Sequence, residues 1–155
     1  MSSPAKPSPA IPSLEQIRLV LSFDFGVKRY GLAIGQCLTG EARPLKPLPA
    51  KDGIVAWELL DPIIAQWQPD LILVGLPLNM DGSSSEMSLR ADKFRRRLSA
   101  RYQIPSLAVD ERLSSQEAKY QVRARDSRVR DFGKHSVDGL AASLIFDTWF
   151  NQQFD

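Results

Sequence analysis

Cysteine and histidine are almost missing from this chain of 155 residues, which has one of each, Cys37 and His135. A single thiol excludes an internal disulfide and any multi-cysteine zinc site. It also fits a reducing compartment. No apolar run approaches the roughly 20 residues of a membrane-spanning helix, so no membrane partner is expected. The N-terminus lacks the apolar stretch of a secretory signal peptide. Large apolar side chains are scarce in residues 1–13, MSSPAKPSPAIPS, which hold four prolines instead. Such a segment buries too little to offset its ordering entropy. Residues 1–15 are therefore expected to form a disordered tail, and residues 16–155 a single domain.

Hydrophobic residues make up 43% of the chain and charged residues 25%, as in an ordinary globular protein. The net charge of +2 is unevenly spread. Residues 90–130 hold twelve Lys or Arg against five Asp or Glu, so the rest of the chain is net acidic. A basic run is usually a solvated face. Seven excess positive charges within 41 residues nevertheless make nucleic acid a plausible partner.

The hydrophobic pattern predicts an α/β fold. Residues 18–25 and 30–37 read as two strands joined by a short turn, a hairpin. A third strand falls within residues 42–48, where Pro44, Pro47 and Pro49 confine it to a sheet edge. Residues 53–67 change to helical spacing, with Ala56, Leu59, Leu60, Ile63, Ile64 and Trp67 on one side. Pro62 is expected to kink this helix or to open a second piece after Asp61. Residues 71–75 read as a buried parallel strand. Ser83 to Glu86 is a capping-box pattern opening a long helix. Met87, Ala91, Phe94, Leu98 and Tyr102 form its apolar stripe, and Arg90, Lys93, Arg97 and Arg101 a basic one.

Residues 104–109 form the next predicted strand. A second capping box, Ser114 to Glu117, opens a helix to about residue 124, and residues 126–134 read as a mobile loop. A last helix spans 137–150 after Ser136, with Val137, Leu140, Ala141, Leu144, Ile145 and Trp149 as its core face. The order β-β-β-α-β-α-β-α-α gives a five-stranded mixed sheet with helices on both faces.

Three acidic positions fall where such sheets bind ligands. Asp24 ends an otherwise apolar strand, near the C-terminal edge of the sheet. Asp110 and Glu111 end the fifth strand, with Arg112 after them. Asp138 lies in the first turn of the last helix, where an acid also complements the helix dipole. Gly139, Ala141 and Ala142 keep that helix slim, so it can approach the sheet and carry Asp138 towards Asp24. Converging carboxylates make an oxygen-only site suited to Mg²⁺ or Mn²⁺ rather than zinc. Such ions activate water and stabilise the leaving oxygen in phosphodiester cleavage. The basic stripe of Arg90, Lys93 and Arg97 would hold the phosphate backbone. His135 reads as a solvated loop residue.

Four segments together resemble a known family. They are residues 24–33 (DFGVKRYGLA), 75–83 (GLPLNMDGS), 110–115 (DERLSS) and 137–142 (VDGLAA). In this order and at these spacings they are similar to the YqgF family, also called RuvX, across roughly residues 18–150. The resemblance implies a ribonuclease H-like fold related to the RuvC resolvases. It implies a bacterial cytoplasmic, metal-dependent nuclease that trims the 5′ end of precursor 16S ribosomal RNA. Its acidic positions match Asp24, Glu111 and Asp138, which become both the catalytic and the metal-binding candidates. RuvC-like relatives carry an acid after the fourth strand, where this chain has Gly75-Leu76-Pro77, so Glu111 substitutes for it. The match also selects Glu111 over Asp110. Lys28 and Arg29 match the family turn, and Asn79, Asp81 and Ser83 its loop, so Lys28, Arg29, Asn79 and Arg112 join the nucleic-acid-binding candidates. Ser22 stands where the family often has Gly, and Gly139 where Ser usually follows the last Asp.

Other readings stay open on sequence. The substrate could be a four-way DNA junction, cut by a two-fold dimer. A homodimer and a monomer are equally compatible with the chain. The basic stripe alone would serve a binding module without catalysis. The turn at Asp24 also resembles the phosphate-binding turn of actin-like ATPases, but those need two copies of this domain.

Overall fold

The computed structural model describes residues 9–113 and 136–154. The helix expected from Ser114, the loop 126–134 and His135 lie outside the described residues, as do residues 1–8 of the expected tail. Five strands form one sheet in the order β3-β2-β1-β4-β5. β1, Leu19–Asp24, pairs antiparallel with β2, Arg29–Gln36. β3, Glu41–Pro49, pairs antiparallel with β2 and forms one edge. That edge is where three prolines that cannot donate to a ladder are tolerated. β4, Leu71–Leu76, adds parallel to β1, and β5, Ser106–Asp110, adds parallel to β4. β1 and β4 carry apolar residues towards both faces because both of their faces are covered.

Helices α1, Trp57–Trp67, and α2, Glu86–Tyr102, cover one face. Leu60, Ile64, Ala91, Phe94 and Leu98 pack there against Leu21, Phe23, Leu32, Ile72 and Val74. Helix α3, Ser136–Gln152, covers the other face. Its Ile145, Phe146 and Trp149 meet Val20, Leu71, Leu73 and Val109. Alternate residues of each strand thus serve opposite cores.

Several local expectations need correction. Residues 51–54 form a tight turn closed by a Lys51–Ile54 bridge, with Asp52 and Gly53 in left-handed conformations. The first helix therefore starts at Trp57, and Ala56 and Leu59 are exposed. Pro62 does not divide it. One turn in from the start, it removes only the bond to the Glu58 carbonyl, and its ring faces solvent. The cap of α2 is Ser85, two residues later than the expected Ser83. The Ser85 hydroxyl accepts from the Ser88 amide at 3.0 Å, and the Ser88 hydroxyl accepts from the Ser85 amide at 2.8 Å. A short 3₁₀ turn, Leu14–Gln16, sets Leu14 against the second core, so packing begins before residue 16.

The buried face of α3 is also rotated from expectation. Ala142, Ser143, Ile145, Phe146 and Trp149 are buried, whereas Leu140, Ala141 and Leu144 are half-buried. A notch in β2 sets this phase. A Cβ on Gly35 would fall 2.3 Å from two carbons of the Phe146 ring, so only glycine lets that ring reach the sheet.

Candidate active site

Two of the predicted carboxylates share one end and one face of the sheet. Asp24 is the last residue of β1 and pairs with Gly31 of β2. By strand alternation it faces α3 together with Val20 and Ser22. Ser22 is fully buried there, and its hydroxyl has no hydrogen-bond partner among the described residues. Glu111 opens the 3₁₀ turn, Glu111–Leu113, that follows β5. It continues the parity of Leu107 and Val109, both on the α3 side. Its carboxylate lies over Gly75 of β4. A Cβ on Gly75 would fall 2.5 Å from Glu111 Oε1, 3.0 Å from its Cγ and 2.6 Å from Ile145 Cδ1. Gly75 is one step beyond the Phe23–Val74 pair, and so beside Asp24 on the neighbouring strand. The bare glycine leaves the space that the Glu111 side chain fills.

Asp138 lies in the first turn of α3, and its side chain is outside the described residues. The backbone beside it is well placed. A Cβ on Gly139 would fall 2.5 Å from Pro44 Cβ and 3.5 Å from the Leu32 carbonyl oxygen. Leu32 pairs with Phe23, so α3 enters level with the end of β1. Among the described residues no three His, Cys, Asp or Glu side chains cluster as a metal site.

Asp110 points away from this group and is tied to Arg112. The Arg112 guanidinium donates to Asp110 Oδ2 at 2.7 Å and from Nε to Oδ1 at 3.1 Å, and its amide donates to Oδ1 at 2.9 Å. These bonds hold the Asp110 carboxyl below the usual carboxylate range. Arg112 Nη1 also donates to the Met80 carbonyl at 3.1 Å, and the guanidinium lies against Gly82. Arg112 therefore joins the end of β5 to the loop of residues 77–85.

That loop is internally built. Asn79 Nδ2 donates to Ser83 Oγ at 3.0 Å and to the Ser84 carbonyl at 3.2 Å. Asp81 Oδ1 accepts from the Ser83 amide and hydroxyl at 2.9 and 2.6 Å, which lowers the Asp81 pKa. Asn79 thus shapes the loop as well as facing solvent.

The basic candidates divide. Lys28 and Arg29 are exposed at the β1–β2 tip. There the Ala50 amide donates to the Lys28 carbonyl and the Gly53 amide to the Val27 carbonyl, both at 2.8 Å. Arg90, Lys93 and Arg97 lie on α2, across the sheet from the carboxylates. Arg90 bonds the Asp52 carbonyl and lies 5.7 Å from the Phe25 ring centre. Arg101, from the same stripe, forks onto Asp61 at 3.1 and 3.2 Å. Tyr102 donates to Asp61 as well, at 2.6 Å, and burial is the main cause pushing its phenol up to about 12. Lys93 and Arg97 are exposed, and neither makes an ion pair with another described residue. Sequence reasoning missed Phe25, Tyr30, Ile54 and Trp57, which line a cavity with these cations. An aromatic residue on each side of the tip, at positions 25 and 30, was the available signal.

A hairpin pair extended by two parallel strands, with helices on both faces and acids at one sheet end, defines a ribonuclease H-like resolvase fold. The structure is similar to Thermus thermophilus RuvC in complex with a Holliday junction, with a TM-score of 0.51 at 16% identity over 87% of this chain and 96% of that one. The fowlpox virus resolvase bound to junction DNA gives a TM-score of 0.53 at 11% identity, over 88% and 99%. At the level of sequence, residues 18–152 match the family model described as "RuvX: Holliday junction resolvase". A Hahella chejuensis protein named "Putative pre-16S rRNA nuclease" is 51% identical over 88% of this chain and 85% of its own length. A Marinobacter nauticus protein of the same name is 52% identical over 88% and 94%. This chain belongs to the RuvX family.

Proposed function

We propose that this chain is a divalent-metal-dependent nuclease that trims the 5′ end of precursor 16S ribosomal RNA. The observation that carries the reading is the placement of Glu111 over the bare Gly75, beside Asp24. The names of relatives at about half identity supply the substrate. Such a substrate places the work in the cytoplasm, and no described helix is long and apolar enough to cross a membrane.

The donor set fits a hard ion. Asp24 and Glu111 offer carboxylate oxygens from neighbouring positions, and Asp138 would add a third from α3. Mg²⁺ or Mn²⁺ held there would supply an activated water and charge stabilisation for the leaving oxygen. Lys28 and Arg29, at the tip beyond Asp24, would hold the adjoining phosphate. Arg112 is a positioning residue in this reading, because its guanidinium is committed to Asp110 and Met80.

The test uses precursor 16S RNA and a four-way DNA junction side by side, with Mn²⁺, Mg²⁺ or EDTA. RNA cleavage that needs the ion and disappears in Asp24→Asn, with RNA binding retained, is expected. Cleavage surviving in EDTA or in Asp24→Asn would refute the site. Symmetric cutting of the junction, the activity in the description of the family model, would replace the RNA substrate by DNA.

A further inference from the structure

We propose that the cavity between the β1–β2 tip and α2 binds the base of one unpaired nucleotide of the nucleic-acid substrate. The cavity measures about 230 Å³. That is smaller than the roughly 300–1,000 Å³ of most small-molecule pockets, and suits a fragment the size of one base. Phe25, Tyr30 and Phe94 form its floor, each no more than 9% exposed. Trp57 and Ile54 stand at its sides. Ile54 is 69% exposed, so its side chain can be reached from solvent.

The rim is cationic. Arg90, Lys93 and Arg97 line it, and no Asp or Glu does so among the described residues. Lys93 and Arg97 are exposed on this rim, where a phosphate can reach them. An apolar, ring-lined floor with a cationic rim matches a nucleotide: a flat π-face inside, a phosphate on each side. A base in a duplex is stacked and paired, so it cannot enter. The occupant is therefore single-stranded.

The walls are set before any ligand arrives. The Tyr30 hydroxyl donates to the Gly53 carbonyl, and burial raises its pKa, so it stays neutral. The Gly53 amide is tied to Val27 at 2.8 Å, and Arg90 bonds the carbonyl of Asp52. Arg101 lies 5.0 Å from the Trp57 ring centre and steadies that ring. Phe25 follows Asp24 directly, with Cα atoms about 3.8 Å apart. Their side chains point to opposite faces. A strand rounding the end of β1 would meet the carboxylates on one side and this cavity on the other. The cavity thus holds a nucleotide on the same strand as the one that is cut, and the preference it imposes is for an unpaired residue there.

This inference rests on the nuclease reading for its ligand, but its test requires no cleavage. Short single-stranded RNAs, each lacking one base at a successive position, are bound to the full chain in EDTA. One position should weaken binding about five-fold or more when its base is removed. That penalty should vanish in Trp57→Leu and in Ile54→Ala, the latter an exposed position that cannot threaten folding. Lys93→Ala with Arg97→Ala should weaken every RNA alike and reduce the salt dependence. A flat scan in the wild type overturns the proposal, as does a penalty that persists in both cavity variants. A flat scan with polyglutamate competing as well as RNA would assign the cavity to an acidic protein segment instead. Metal-dependent cleavage with a flat scan would sink the cavity and leave the nuclease standing. A positional penalty without cleavage under any ion would do the reverse.

Discussion

Gly75→Ala tests the candidate site through a group that carries no chemistry. The added methyl would lie 2.5 Å from Glu111 Oε1 and 2.6 Å from Ile145 Cδ1. Ordinary contact begins near 3.4 Å, so the carboxylate must retreat by about 0.9 Å. Misplacing a reacting group by about 1 Å costs on the order of 10²-fold in rate. Stability should change far less. Overpacking costs about 1–3 kcal/mol, and replacing a strand glycine returns about 0.5–1 kcal/mol. Gly75 has no positive φ to forbid the change. A net loss of about 1–2 kcal/mol lowers the midpoint of thermal unfolding by only a few degrees. The assay is single-turnover cleavage of precursor RNA with Mn²⁺, run beside a melting curve. The decisive comparison is with Glu111→Ala. If Gly75 acts by leaving room for that carboxylate, the double variant should be no slower than Glu111→Ala alone. Full activity in Gly75→Ala, or a further large drop in the double variant, would refute the reasoning.

Two further perturbations test the frame around the site. Gly35→Ala drives a methyl into the fully buried Phe146 ring, at 2.3 Å from two ring carbons. It should cost about 3 kcal/mol in urea unfolding, the upper end of overpacking, and Phe146→Leu should recover part of that loss. Costs that simply add would show that the notch does not seat the ring. Arg112 hydrogen bonds hold the Asp110 carboxyl below its ordinary value. The stability this lends is present above the ordinary pKa of about 3.9 and is lost as pH falls through the lowered one. The gap in melting temperature between wild type and Asp110→Asn should therefore be steady near neutral pH and close below about pH 4. A gap that stays open at about pH 2 would disprove that linkage.

The strands were easy to read because their signals are local. Residues 19–23 and 71–76 set large apolar side chains on both faces, and only a covered central strand needs that. Prolines at 44, 47 and 49 announce an edge for the same local reason. The helices were harder where the phase depends on a partner. Serines at 83, 84 and 85 are equivalent as caps in the sequence. The choice of Ser85 follows from Asp81 having already engaged Ser83, and from the Ser85 hydroxyl donating to the Pro77 carbonyl at 2.6 Å. Helix α3 is apolar on most sides, so its pattern leaves the buried face open. Gly35, over a hundred residues earlier, decides it.

The site divides along the same line. Asp24 and Glu111 stand out as acids at the ends of apolar strands, and no fold is needed to notice them. The basic stripe reads as one phosphate track, yet Arg101 is spent on Asp61 and Arg90 braces the turn at Asp52. Those partners are about forty residues away, and only the packing of α1 and of the 51–54 turn against α2 brings them in. Comparison with RuvC-like relatives leads one to expect an acid after the fourth strand, and this chain has glycine there. Alone, that glycine reads as a lost ligand. Beside β5 it is the reason Glu111 can lie across β4, next to Asp24. The missing side chain at 75 and the acid at 111 are therefore one feature, a carboxylate supplied from the next strand over. It becomes visible only once the two strands are known to be neighbours.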